Sequence, residues 1–190
     1  MTRIVEKSED GKGNSLVSLA RTMDEWIRAA VAEGRGFHEF ESEWYEMIHR
    51  MGNLGAELFI SQQGNGDLGA TVTTNDGVTL SRSAEPVKRP FQTVFGLFQI
   101  DAYVYARGPK KKIELRPIDA RIQLPGGYAS YLFEEFSQCF CVEQSFDCSL
   151  DGIARVMRQT LSKETLQRIN QRVGWQAEEF LDELAAPSAE

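Results

Sequence analysis

SFDCSLDGIARVMRQTLSKETLQRINQRVGW, residues 145–175, carries two apolar stripes at helical spacing with a short break between them. Ile153, Val156 and Met157 mark the first helix. Leu166, Ile169 and Val173 mark the second, and Ala177, Phe180 and Leu184 continue its stripe. Ser149 and Ser162 fall where N-caps are expected, since a serine oxygen accepts the unpaired amides of a first turn. Gln159-Thr160-Leu161 is short enough to cross the two helices sharply, which predicts a helix-turn-helix.

The opposite face of the second helix is filled by side chains of one chemical kind. Arg, Gln and Asn read base edges bidentately, and Arg and Lys bind phosphate. Gln167, Asn170 and Gln171 are therefore the base-edge candidates, and Arg155, Arg158, Lys163, Arg168 and Arg172 the phosphate candidates. Between Ser149 and Trp175 five basic residues face two acidic ones, so the segment carries +3. The whole chain carries −7, which leaves −10 for the remainder. That local reversal of sign points to double-stranded DNA, and it confines any nucleic-acid contact to this segment. The plainer reading of the same residues is a helical hairpin with a solvated basic face.

At 190 residues and 42% apolar content, the chain can bury a core as one domain or two small ones. No run approaches the roughly 20 apolar residues of a membrane span. The charged start MTRIVEKSEDGKGNS lacks the apolar centre of a signal peptide, so the expected location is cytoplasmic, nucleoid-associated if DNA is the partner. Cys139, Cys141 and Cys148 are an odd set of thiols, expected reduced. Zinc would want four ligands, and His38 and His49 lie far from them in sequence, so neither metal nor cofactor is expected.

Taken in order, the chain predicts an α+β fold. Residues 1–21 read as a mobile tail, with Thr22 or Asp24 capping a first helix that Glu33-Gly34-Arg35-Gly36 stops. The helical segment 22–69 then includes a long helix from about Glu39 to Gln63. Its stripe of Phe40, Trp44, Met47, Ile48, Met51, Leu54 and Leu58 reads as core or dimer seam. Residues 70–127 switch to a period of two. Asn75-Asp76-Gly77 predicts a hairpin, and a strand pair follows around Phe95-Gly96. In the second of that pair Phe98, Ile100, Ala102 and Val104 share one face, and Gln99, Asp101, Tyr103 and Tyr105 the other; Ile113–Arg116 closes one small antiparallel sheet. Residues 128–190 form the helix-turn-helix-like segment. Its first helix, about Ser130 to Val142, shows Tyr131, Leu132, Phe136, Cys139 and Phe140 as the apolar side.

The order of these features resembles a known family. ELFISQQGNGDLG ends the long helix, FQTVFGLFQIDAYVYA makes the strand pair, Pro117-Ile118-Asp119 and Leu124-Pro125 follow, and Cys141-Val142-Glu143-Gln144-Ser145-Phe146 and LSKETLQRINQRV close the series. Together they resemble the N-terminal region of ISKra-type insertion-sequence transposases, DDE enzymes of mobile elements. The resemblance implies a DNA-binding portion that recognises element ends, ahead of a catalytic domain whose three carboxylates hold divalent metal. That domain is not expected within this chain, so no catalytic residue is assigned. Some relatives carry cysteine pairs around the hairpin, and here none occurs between Ala70 and Leu124.

The expected function is thus the non-catalytic, end-binding portion of a transposase or a truncated transposase product, with a homodimer as the expected assembly if the long helix is a seam. The rival is an interaction or dimerisation module without DNA, carried by the Phe40–Leu58 stripe and by Tyr103 and Tyr105. A hydrolase is disfavoured, because no Gly-x-Ser-x-Gly elbow, ligand pair or P-loop is present.

Overall fold

The structure, a computed structural model, describes residues 15–184. It is α+β, with six helices and short antiparallel strands among the described residues. The chain divides into two compact units, Met1–Gly64 and Asn65–Glu190.

The first unit is a helical hairpin, α1 (Leu16–Glu33) and α2 (Phe37–Ser61). Helix α1 starts at Leu16, upstream of the predicted Thr22 or Asp24 cap, because the Ser15 hydroxyl accepts the Ser18 amide. Residues 16–21 therefore belong to a helix rather than to the tail expected over 1–21, and Leu19 is buried. Residues 1–14 lie outside the described part. Gly34 ends α1 in the left-handed region (φ 64°), as its place in the sequence predicts. Trp26 stacks on Phe40 and Trp44, with centroids 5.1 and 6.3 Å apart, and its indole N–H donates to Glu43. The three buried residues of the hairpin, Leu19, Met23 and Ala30, all lie on α1, and α2 buries none.

In the second unit the strands are β1 (Thr71–Thr73), β2 (Thr79–Arg82), β3 (Val87–Thr93), β4 (Gly96–Ala102) and β5 (Tyr105–Ala106). They make two sheets, β1-β2-β5 and β3-β4, rather than the single one predicted. Asn75-Asp76-Gly77 does turn the first hairpin, with Thr73 opposite Thr79 and Gly77 at φ 77°. Along β4 the alternation holds through Gln99, Ile100, Asp101 and Ala102, then stops. The Tyr103 amide leaves the ladder for the Asn65 carbonyl, and the parity resets. Val104 and Tyr105 are consequently both buried, and Tyr105 is 0% exposed, against the expectation of an exposed tyrosine. Its hydroxyl accepts the Leu68 amide at 2.7 Å and donates to the Gly69 carbonyl at 2.9 Å. Ile113–Arg116 supplies only a single bridge, Leu115 to Tyr105. Tyr105→Phe leaves both backbone partners short of a bond in a part-buried site. Urea unfolding should show a loss of about 1–2 kcal/mol.

The remaining elements are α3 (Pro117–Arg121), α4 (Tyr131–Cys141), α5 (Phe146–Met157) and α6 (Lys163–Glu183). Asp119 pairs with the Arg89 guanidinium, which also donates to the Gly127 carbonyl at 2.9 Å. The Pro-x-Asp element thereby ties β3 to the connector before α4. Gln92 of β3 donates its amide to the Tyr128 carbonyl and accepts the Ser130 amide, both at 2.8 Å. Val94 enters the core of Ala129, Phe133, Ile153, Met157, Leu166 and Ile169. The predicted segments 70–127 and 128–190 are therefore not separate domains, because β3 is stitched into the helical core.

Helix α4 is rotated from its predicted orientation. Phe133, Glu134 and Ser137 point inward, while Tyr131, Leu132 and Phe136 are 63, 44 and 41% exposed. Leu132, Phe133, Phe136, Cys139 and Phe140 share one side of the wheel, and the turn that brings Glu134 and Ser137 inward with Phe133 falls to the partners of Phe133 and Glu134. Helix α5 begins at Phe146, capped by Ser145 rather than Ser149. Ser149 is buried one turn later and donates its hydroxyl to the Ser145 carbonyl. Gly152 lets α4 approach, since a Cβ there would lie 2.8 Å from the Phe140 ring.

Candidate nucleic-acid interface

The α5–α6 pair forms as the spacing predicts. Ile153 and Met157 face Leu166 and Ile169 in the core, all at 3% exposure or less, whereas Val156, expected in the same stripe, is 45% exposed. Between the helices Arg158 takes the left-handed conformation (φ 54°), and the chain reaches Ser162, whose hydroxyl accepts the Thr165 amide. Gln159 anchors this turn. Its amide donates to the Thr93 carbonyl at 2.9 Å, and its oxygen accepts from Gln92. The turn between α5 and α6 is thus tied to β3.

The eight predicted DNA contacts divide into two groups. Arg155, Arg158, Lys163, Arg168 and Gln171 are exposed. Lys163 shares a surface ion pair with Asp147 at 2.8 Å, a bond of 0–1 kcal/mol in water that a phosphate can displace. Arg168 lies over the Tyr128 ring, 5.5 Å from its centroid. Burial pushes the Tyr128 phenol above its ordinary pKa, and the Arg168 charge partly opposes that. Gln167 is half-buried.

Two candidates are spent on the fold. Arg172 pairs with Glu134, whose side chain is only 7% exposed, so it neutralises an interior carboxylate instead of a phosphate. Asn170 donates to the Cys141 sulfur at 3.2 Å and to the Leu166 carbonyl at 3.0 Å, which occupies its amide within the α4–α6 contact. Sequence spacing places Arg172 beside Arg168 on a helical wheel, but an inward Glu134 on α4 draws it toward the core. Tyr128, the platform under Arg168, lies before α4 and carried no signal in the sequence.

At the amino end of α6 the Ser162 hydroxyl accepts the Thr165 amide and the Ser162 carbonyl accepts the Leu166 amide. Glu164 sits below its ordinary pKa because its carboxylate accepts its own amide and the Ser162 hydroxyl. The carboxyl end of α6 carries Glu178, Glu179, Asp182 and Glu183, and Phe180 and Leu184, expected to extend the packed stripe, are 60 and 54% exposed. The basic surface therefore ends near Gln171. Cys139 and Cys148 are exposed and Cys141 half-buried, and no three His, Cys, Asp or Glu side chains among the described residues converge as metal ligands. No helix there is long and apolar enough to cross a membrane.

No family model matches the chain, and neither does any curated protein or solved structure.

Proposed function

We propose that the carboxyl-terminal helices bind double-stranded DNA, as the non-catalytic end-recognition portion of a DDE transposase. One observation carries this reading: four cations and an amide, Arg155, Arg158, Lys163, Arg168 and Gln171, are exposed on or beside α5 and α6 while Ile153, Met157, Leu166 and Ile169 of the same two helices close a core. Arg168 and Gln171 are three residues apart on α6 and reach base edges together if the helix lies in a major groove. Arg155, Arg158 and Lys163 flank them as phosphate contacts. The transposase assignment is supported by the ordered motifs from ELFISQQGNGDLG to LSKETLQRINQRV.

Salt dependence tests it. Each cation that holds a phosphate releases about 0.9 counterion, so replacing Arg155 or Arg158 by Ala should reduce the slope of log K against log salt by roughly one. An unchanged slope in both variants removes the α5 end from the interface.

A further inference from the structure

We infer that the amino-terminal hairpin pairs with a second copy of this chain, α2 against α2 in antiparallel, to make a four-helix bundle. The inference stands apart from DNA binding and rests on α2. Phe37, Ile48 and Phe59 are 73, 45 and 57% exposed. They recur every eleven residues, close to three helical turns, so they lie on one line along the helix axis. Gly55 lies on the same line, and a Cβ there would meet nothing within 4 Å among the described residues, so none of them explains a glycine in the middle of a helix.

The line faces about 90° from α1, which meets α2 through Phe40, Glu43 and Trp44. In a four-helix bundle each helix touches two neighbours at about that angle. Helix α1 carries the matching edge, with half-buried Ile27 and exposed Val31. Because α1 runs back along α2, both edges open on the same side of the hairpin. Phe37, Ile48, Phe59 and Val31 are exposed among the described residues, and a two-helix hairpin is too small to close a core alone.

Symmetry and charge select a second copy, and its direction. Phe37 and Phe59 are equidistant from Ile48, so a two-fold axis through Ile48 sets Phe37 on the partner's Phe59 at both ends. The one charged side chain along the line is Glu41, and the amino half of α2 also holds Glu39, Glu43 and Glu46, whereas the carboxyl half holds only Arg50 and Glu57. A parallel pair stacks the acidic halves and brings Glu41 against its own copy. The antiparallel pair parts them and sets Glu41 against the partner's Gly55.

Sedimentation equilibrium of the full chain without DNA tests this. The expected species at micromolar concentration has twice the 21.4 kDa chain mass. Phe37→Lys and Phe59→Glu should each weaken association by at least about tenfold. The double variant F37K/F59E should recover it, because antiparallel copies then face Lys with Glu, whereas a parallel pair would face like charges. Ile48→Glu should give monomers with unchanged helical circular dichroism. A monomeric wild type, a dimer indifferent to both single substitutions, or a double variant no tighter than the singles overturns the proposal. Duplex binding by a monomeric protein would leave the DNA reading standing while this one falls.

Discussion

Phe133→Ala should destabilise the carboxyl-terminal unit by about 4 kcal/mol, the largest effect expected of a single substitution in this chain. The ring is 0% exposed and packs in one cluster with Ile153 and Met157 of α5, Leu166 and Ile169 of α6, and Val94 of the β3–β4 hairpin. Truncation removes the apolar contacts of a whole ring. It also leaves a cavity where three helices and a hairpin meet, none of which can close it without losing its own contacts. Phe136, on the same helix and 41% exposed, is the control, and its truncation should cost less than about 1 kcal/mol. Urea unfolding followed by far-ultraviolet circular dichroism distinguishes the pair. Equal costs would place the inward face of α4 elsewhere.

Arg172→Ala should cost about 3 kcal/mol, through a different mechanism. Glu134 would remain an interior carboxylate with its cation gone, and the penalty of an uncompensated charge exceeds the worth of the pair itself. At 24% exposure Arg172 keeps some solvent, which sets the figure at the lower end of such losses. Replacing both partners, as Glu134→Leu with Arg172→Met, removes the charge along with its need and should restore most of the stability. The same variant separates fold from function. Arg172→Ala should leave the salt slope of duplex binding unchanged wherever the protein is folded, whereas Arg155→Ala should lower the slope at little cost in stability. A stable Arg172→Ala protein with a lowered slope would return Arg172 to the interface.

The elements were legible where a local rule had no competitor. Ile153, Met157, Leu166 and Ile169 repeat at helical spacing between polar neighbours, and Asn75-Asp76-Gly77 has few conformations other than a tight turn. Legibility failed where the deciding partner was distant. Serines stand at both Ser145 and Ser149, and α5 is capped by the first of them, with Phe146 packed against the core. On α4 the apolar side of the wheel centres on Leu132, Phe136, Cys139 and Phe140, so it could not show that Phe133 turns inward together with Glu134 and Ser137. The candidate interface divided for the same reason. Arg155, Arg158 and Arg168 follow from the exposed sides of their helices, but Arg172 and Asn170 answer to Glu134 and Cys141, 38 and 29 residues away in sequence. Tyr105 escaped a period-two reading because a single amide, that of Tyr103, leaves the ladder for Asn65.

The most direct test of the central claim is selection of bound duplexes from a random-sequence DNA pool by the full chain, repeated with Arg168→Ala and Gln171→Ala. The account predicts that a defined motif is enriched and that each substitution relaxes the preference at one or two of its positions, by about 1–3 kcal/mol per base contact. Enrichment of no sequence, or of one that both variants select unchanged, would contradict it.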